Sequence, residues 1–235
     1  MRIVVKVGTS TLAHPTGHLN IRHVEELVTV LSDLRNAGHE VILVSSGAIG
    51  MGVGKLHLPG KPADIPTKQA AAAVGQCELM YTYDRLFTQY NHTVAQILLT
   101  GEDVDHEERR QNFENTINRL LELGALPIIN ENDTVATAEI KVGDNDTLGA
   151  IVACTVNADL LVLLSDIDGL YTADPHQNPR RKDGHRIRLR HGRRQWGKSH
   201  RPLRHRGGQG RGYSVCGKIM IKNRLPFGGA VAAGD

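Results

Sequence analysis

Four short apolar runs constrain the fold most: VVKV from Val4, VILV from Val41, PII from Pro127 and LLVLL from Leu160. Each breaks at a cluster of Gly, Ser, Asn or Asp. Aliphatic, β-branched runs of this length, without strict polar alternation, are what strands buried on both faces require. Between them lie segments with helical spacing, Arg22 to Ala37, Thr67 to Thr88, Glu107 to Leu123 and Thr147 to Asn157. Strands alternating with helices predict an α/β fold, a mainly parallel open sheet with helices on both faces. Gly and Pro punctuate the stretch from Gly50 to Pro66, which reads as an exposed loop.

Open parallel sheets bind ligands at the carboxyl ends of their strands, so the residues just beyond each run matter. The first run carries Lys6 and stops at Gly8, Thr9 and Ser10. A lysine beside a glycine turn, where backbone amides can approach an anion, is a phosphate-binding arrangement; taken alone it reads equally as a lysine snorkelling from a strand. The spacing of the common GxxxxGK[ST] phosphate loop is absent. The second run delivers Ser45, Ser46 and Gly47, which could grip a carboxylate or phosphate, or simply cap a helix. The third opens PIINENDTVATAEIKVGDNDTLGA, with Glu131, Asn132, Asp133, Asp144, Asn145 and Asp146; a lone GDND would more often be a solvated turn. The fourth ends in Ser165, Asp166, Ile167 and Asp168.

Together the strings VVKVGTS, LVSSGAIGMG, TKQAAAAVGQ, INENDTVATAEIKVGDND and LLVLLSDIDGLYTADP resemble the amino acid kinase superfamily, and within it the glutamate 5-kinase family. The resemblance runs from Arg2 to about Pro179. It implies an amino acid kinase domain over residues 1–179, incomplete, and transfer of a phosphoryl group from ATP to the side-chain carboxylate of L-glutamate, the first step of proline biosynthesis. By resemblance, Lys6 would neutralise the transferring group beside Gly8 and Thr9, and Asp146 would hold the catalytic lysines in place. Ser46, Asp133 and Asn145 match glutamate-binding positions, and Asp144 would pair with the α-ammonium. Ser165 and Asp166 match nucleotide contacts. Mg²⁺ would bridge ATP phosphate oxygens, with no metal held by protein ligands alone. The same resemblance implies proline as feedback inhibitor, a glutamyl phosphate reductase downstream and a homo-oligomer. The family's later GTGGM segment, with a second phosphate-binding lysine, has no in-frame counterpart, so turnover by the chain as written is in question.

The charge balance breaks at Arg180. Of 28 Lys+Arg and 25 Asp+Glu, 16 basic and only 2 acidic residues lie in 180–235, so a net of −11 precedes a net of +14. Such a tail invites a nucleic-acid reading. Its arginine-rich stretch, however, has almost no aliphatic content, no period and no repeat, and cannot offset the conformational entropy of folding alone. One nucleotide later, the codons of Arg204 to Gly207 permit GTGG and those of Gln209 to Gly217 permit KAADTACAG, strings of the kind this family carries after LYTADP. The expectation is therefore an out-of-frame tail. A non-catalytic amino-acid binder, or a protein binding nucleic acid through the tail, is the alternative.

Cys77, Cys154 and Cys216 are odd in number and lack metal-ligand spacing, and Lys6 and Gly8 interrupt the first apolar run, so no signal peptide is read. A reducing cytoplasm and no membrane span are expected. The tail histidines His185, His191, His200 and His205 have no ligand spacing for zinc.

Overall fold

A computed structural model describes residues 1–14, 19–136, 145–164 and 218–222. Six strands form one sheet: β1 (Arg2–Val7), β2 (Glu40–Val44), β3 (Val94–Leu99), β4 (Leu126–Glu131), β5 (Leu160–Leu164) and β6 (Lys218–Lys222), in the order β3-β4-β2-β1-β5-β6. Every pairing is parallel, including Lys6 opposite Val44 on one side and Leu163 on the other. The α/β architecture expected from the sequence is thus present.

The strands are apolar throughout because both of their faces are covered. Ile3, Val5 and Val7 of β1 join Val41 and Leu43 of β2 in a core with α2 (Ile21–Asn36) and α4 (Ile65–Thr88). Val4, Ile42 and Val44 point to the other side, into a core with Phe113 and Ile117 of α6 (Glu107–Glu122) and Leu148 and Val152 of α7 (Asn145–Thr155). Alternate strand residues therefore serve opposite layers, while α2 presents Val24, Leu27, Val28 and Leu31, the i, i+3, i+4, i+7 stripe of a one-sided helix. Two short helices, α1 (Thr9–Leu12) and α5 (Gly101–Asp105), follow β1 and β3 directly. The latter is fixed by a reciprocal capping box between Thr100 and Asp103.

Three features depart from the sequence reading. First, Gly50 to Lys55 is not loop: α3 (Ala48–Lys55) occupies it, and only the residues from Leu56 to the Asp64 cap of α4 connect the helices. Its glycines are there for contact. A Cβ on Gly52 would lie 1.8 Å from the Ala71 carbonyl oxygen, and one on Gly75 would lie 1.7 Å from that of Ala48, so α3 and α4 touch backbone to backbone. Second, β3 went unread: VAQILL is interrupted by Gln96 and runs through the Thr100 cap straight into α5. Third, β6 adds a strand within the basic tail, pairing with β5 from Leu160↔Lys218 to Leu164↔Lys222. KIMIK is a short apolar run, Ile219 to Ile221, between two lysines, which the overall basic composition of 180–235 hides.

Candidate active site

The four runs that end in polar clusters are neighbours, β4-β2-β1-β5, and all point the same way, so their carboxyl ends share one edge of the sheet. Lys6 is next to last in β1 and, like Val4, faces the α7 layer. Its stem crosses α7 at Gly149, where a Cβ would come within 3.2 Å of the Lys6 Cβ and 3.4 Å of its Cγ. Its Nζ then reaches Asp146 Oδ1 at 2.7 Å, with the lysine side chain 9% and the aspartate side chain 37% exposed. A carboxylate in the first turn of a helix is favoured by the macrodipole, so Asp146 is held where the lysine needs its counter-charge. The ammonium is thereby anchored beside Gly8, whose hypothetical Cβ would be 3.5 Å from Nζ. Snorkelling to solvent is excluded for Lys6 by its burial, only 7% of the residue being exposed.

The other expected residues divide clearly. Gly8 is buried and its amide donates to the Leu164 carbonyl at 3.3 Å, tying β1 to β5, whereas Thr9 and Ser10 open α1 and are exposed. Ser46 is half-buried before Gly47, which takes a φ of 106° to start α3 and so suits the one residue without a Cβ. Asp133 is half-buried in the turn after β4, a turn that Gln69 of α4 steadies through a 3.3 Å bond to the Ala136 carbonyl. Asp144, Ser165 and Asp166 lie outside the described residues.

Asn145 differs from the exposed loop residue its GDND setting suggests. It is the first residue of α7, half-buried, and its Nδ2 donates to the Ser45 carbonyl at 2.8 Å, to Ser46 Oγ and, more weakly at 3.3 Å, to Asn130 Oδ1. One amide thus joins the ends of β2 and β4 to α7, bringing Ser46 and Asn145 together within one turn of the Lys6–Asp146 pair. Asn145→Ala removes a donor from the Ser45 carbonyl, Ser46 Oγ and Asn130 Oδ1 and is expected to lower stability by about 1 to 3 kcal/mol as well as to weaken ligand binding. Urea unfolding read beside calorimetry separates the two effects.

Behind these residues stands a buried polar layer that sequence reasoning missed. Ser45 Oγ meets Tyr83 Oη at 2.9 Å, and Asn130 Nδ2 donates to Gln76 Oε1 at 2.9 Å. Burial pushes the Tyr83 phenol far above its ordinary pKa, against the opposing bond to Ser45, so it stays neutral. The available signal was a glutamine on the buried face of α4, in register with Leu79, Tyr83 and Phe87. Among the described residues no group of three or more His, Cys, Asp or Glu could hold a metal ion, and no helix is long and apolar enough to cross a membrane.

Comparison with known proteins gives this geometry a lineage. The protein-family model that matches, over residues 1–202, is that of the amino acid kinase family. The glutamate 5-kinase of Clostridium tetani is 60% identical over 176 residues, an alignment covering 75% of this chain and 66% of that relative. That of Symbiobacterium thermophilum is 55% identical over 178 residues, covering 76% and 68%. The chain spans about two thirds of the length of these curated relatives. A crystal structure of T. acidophilum isopentenyl phosphate kinase in a product complex superposes with a TM-score of 0.52 over 77% of this chain and 76% of the other, at 16% identity, a likeness of fold alone. With a parallel sheet, a buried strand-end lysine and a family match across most of its length, the chain belongs to the amino acid kinase family.

Proposed function

We propose that this chain is built to transfer the terminal phosphoryl group of ATP to the side-chain carboxylate of L-glutamate, giving L-glutamyl 5-phosphate for proline biosynthesis. The observation that carries the reading is the Lys6–Asp146 ion pair at the carboxyl edge of β1, one residue along α7 from Asn145 and its bond to Ser46. A carboxylate nucleophile is already an anion and needs no general base. It needs positive charge and alignment, because two negative reactants must meet in line. Lys6 supplies the charge; Asp146 fixes where that charge sits. Identities of 55 to 60% to curated glutamate 5-kinases support glutamate as the substrate. Ser46, Asp133, Asp144 and Asn145 would read its ammonium and α-carboxylate, and Ser165 and Asp166 would meet the nucleotide. Mg²⁺, carried on the ATP phosphates, would supply further charge neutralisation. Proline as a feedback inhibitor, a reductase taking the labile acyl phosphate and a homo-oligomer belong to the same reading.

The tail enters as a separate part of the proposal. Curated matches of 176 and 178 residues leave about a quarter of the chain unaligned, and together with the charge reversal at Arg180 this supports a kinase domain of 1–179 followed by residues read out of frame, although the family model reaches residue 202. Hydroxamate formation from glutamate, ATP and hydroxylamine tests both statements. Little or no product is expected from the chain as written, with turnover recovered once the frame near codon 180 is restored. The restored enzyme should prefer glutamate over aspartate and N-acetylglutamate. Robust product without repair would refute the frame argument; a restored protein that phosphorylates none of the three would leave the non-catalytic binder as the better account.

A further inference from the structure

The carboxamides of the buried polar layer have forced orientations. The Glu131 amide, which can only donate, bonds Asn130 Oδ1 at 2.9 Å. Asn130 is 3% exposed, so this bond fixes which end of its carboxamide is oxygen and turns Nδ2 toward α4. There Gln76, itself 8% exposed, offers Oε1 at 2.9 Å. On the other side, the Ser45 carbonyl and Asn130 Oδ1 can only accept, so Asn145 must present Nδ2 to both. With that nitrogen committed inward, Oδ1 of Asn145 has no hydrogen-bond donor among the described residues and is the atom left for a bound molecule. An acceptor suits an ammonium group and disfavours a second carboxylate.

We propose that Gln76, which lies behind the site on α4, is a positioning residue that sets the orientation of the Asn145 carboxamide through Asn130, and with it the preference for the ammonium end of an amino acid. The inference rests on the function proposed above only for the identity of that amino acid. Without an acceptor at position 76, the Asn130 amide has an unsatisfied buried donor and gains by rotating its nitrogen elsewhere. Rotation withdraws Oδ1 from the Glu131 amide and from Asn145, whose own carboxamide is then held only by the Ser45 carbonyl and Ser46.

Two measurements test this, one independent of catalysis. In the chain as it stands, urea unfolding of Gln76→Met, Asn145→Ala and the double variant should be non-additive, the double losing less than the product of the two single factors in the unfolding equilibrium, although the two side chains do not bond each other. Strict additivity would overturn the coupling. In the frame-restored enzyme, Gln76→Met should raise the KM for glutamate about tenfold, the factor that corresponds to about 1.4 kcal/mol, with the KM for ATP and kcat within about twofold. Gln76→Glu, which keeps an acceptor oxygen, should restore most of the glutamate KM. Loss of folded protein lowers apparent kcat and leaves KM alone, so a merely structural role predicts the opposite split; that split, or a rise of both KM values together, also overturns the proposal. A parent enzyme inert toward glutamate counts against the proposed substrate, and the unfolding cycle still decides the coupling.

Discussion

Gly75→Ala is expected to destabilise the fold by about 3 kcal/mol or more, the upper end for overpacking, because the added methyl has nowhere to go. It would sit 1.7 Å from the Ala48 carbonyl oxygen, 2.5 Å from the Gly52 nitrogen and 2.8 Å from the Ala48 carbonyl carbon. All three atoms are backbone, so no rotamer change relieves them, and α3 must lift bodily from α4. Gly52→Ala meets the same wall from the other helix, 1.8 Å from the Ala71 oxygen. Lifting α3 also drags Ser46 and Gly47 from Asn145, so surviving protein should bind ligand poorly. The urea midpoint reports the first effect and calorimetry the second. A midpoint within error of the parent would show that the helices separate at no cost and that the close approach is incidental.

Lys6→Met in the frame-restored enzyme is expected to lower turnover by about 10² or more, the loss associated with one preorganised charge in a phosphoryl clamp, while stability changes modestly. Methionine is the informative replacement. It keeps the stem that packs across Gly149, whereas alanine would remove that packing and confuse charge with cavity. Asp146, with its side chain 37% exposed, can turn to water once its partner is gone, which limits the cost of losing the pair. Turnover and thermal midpoint measured on one preparation separate the roles: a variant that unfolds yet keeps its activity per folded molecule would return Lys6 to a structural part.

The sequence made the sheet legible because parallel strands covered on both faces must be apolar along their whole length, and VVKV, VILV and LLVLL could be little else. Lys6 drew notice as a charge inside an apolar strand, while the role of Asp146 entered only through the family resemblance; the structure brings the two together as an ion pair. The α3 helix was not, since glycine lowers helix propensity and only the tertiary approach of Ala71 and Ala48 explains it. Asn145, read as an exposed loop position, is instead the half-buried first residue of α7, because its partners Ser45 and Asn130 lie far off in the chain. Gln76 and Tyr83 left a trace only as polar residues on a buried helical face, which composition averages away.

The central place of β1 has a consequence for how the chain comes off the ribosome. The first strand made, Arg2–Val7, finds β2 after some forty residues but must wait for Leu160–Leu164 before its other side is paired. Until then a nascent chain carries an open β edge of Ile3, Val4, Val5 and Val7, and Lys6 lacks the Asp146 that neutralises it. Contacts this distant in sequence form late and expose the chain to other strands meanwhile. A translation stop between residues 44 and 160 should therefore yield an adhesive, protease-sensitive fragment, and the lysine at position 6 then serves as a gatekeeper charge before it ever serves as a ligand for phosphate.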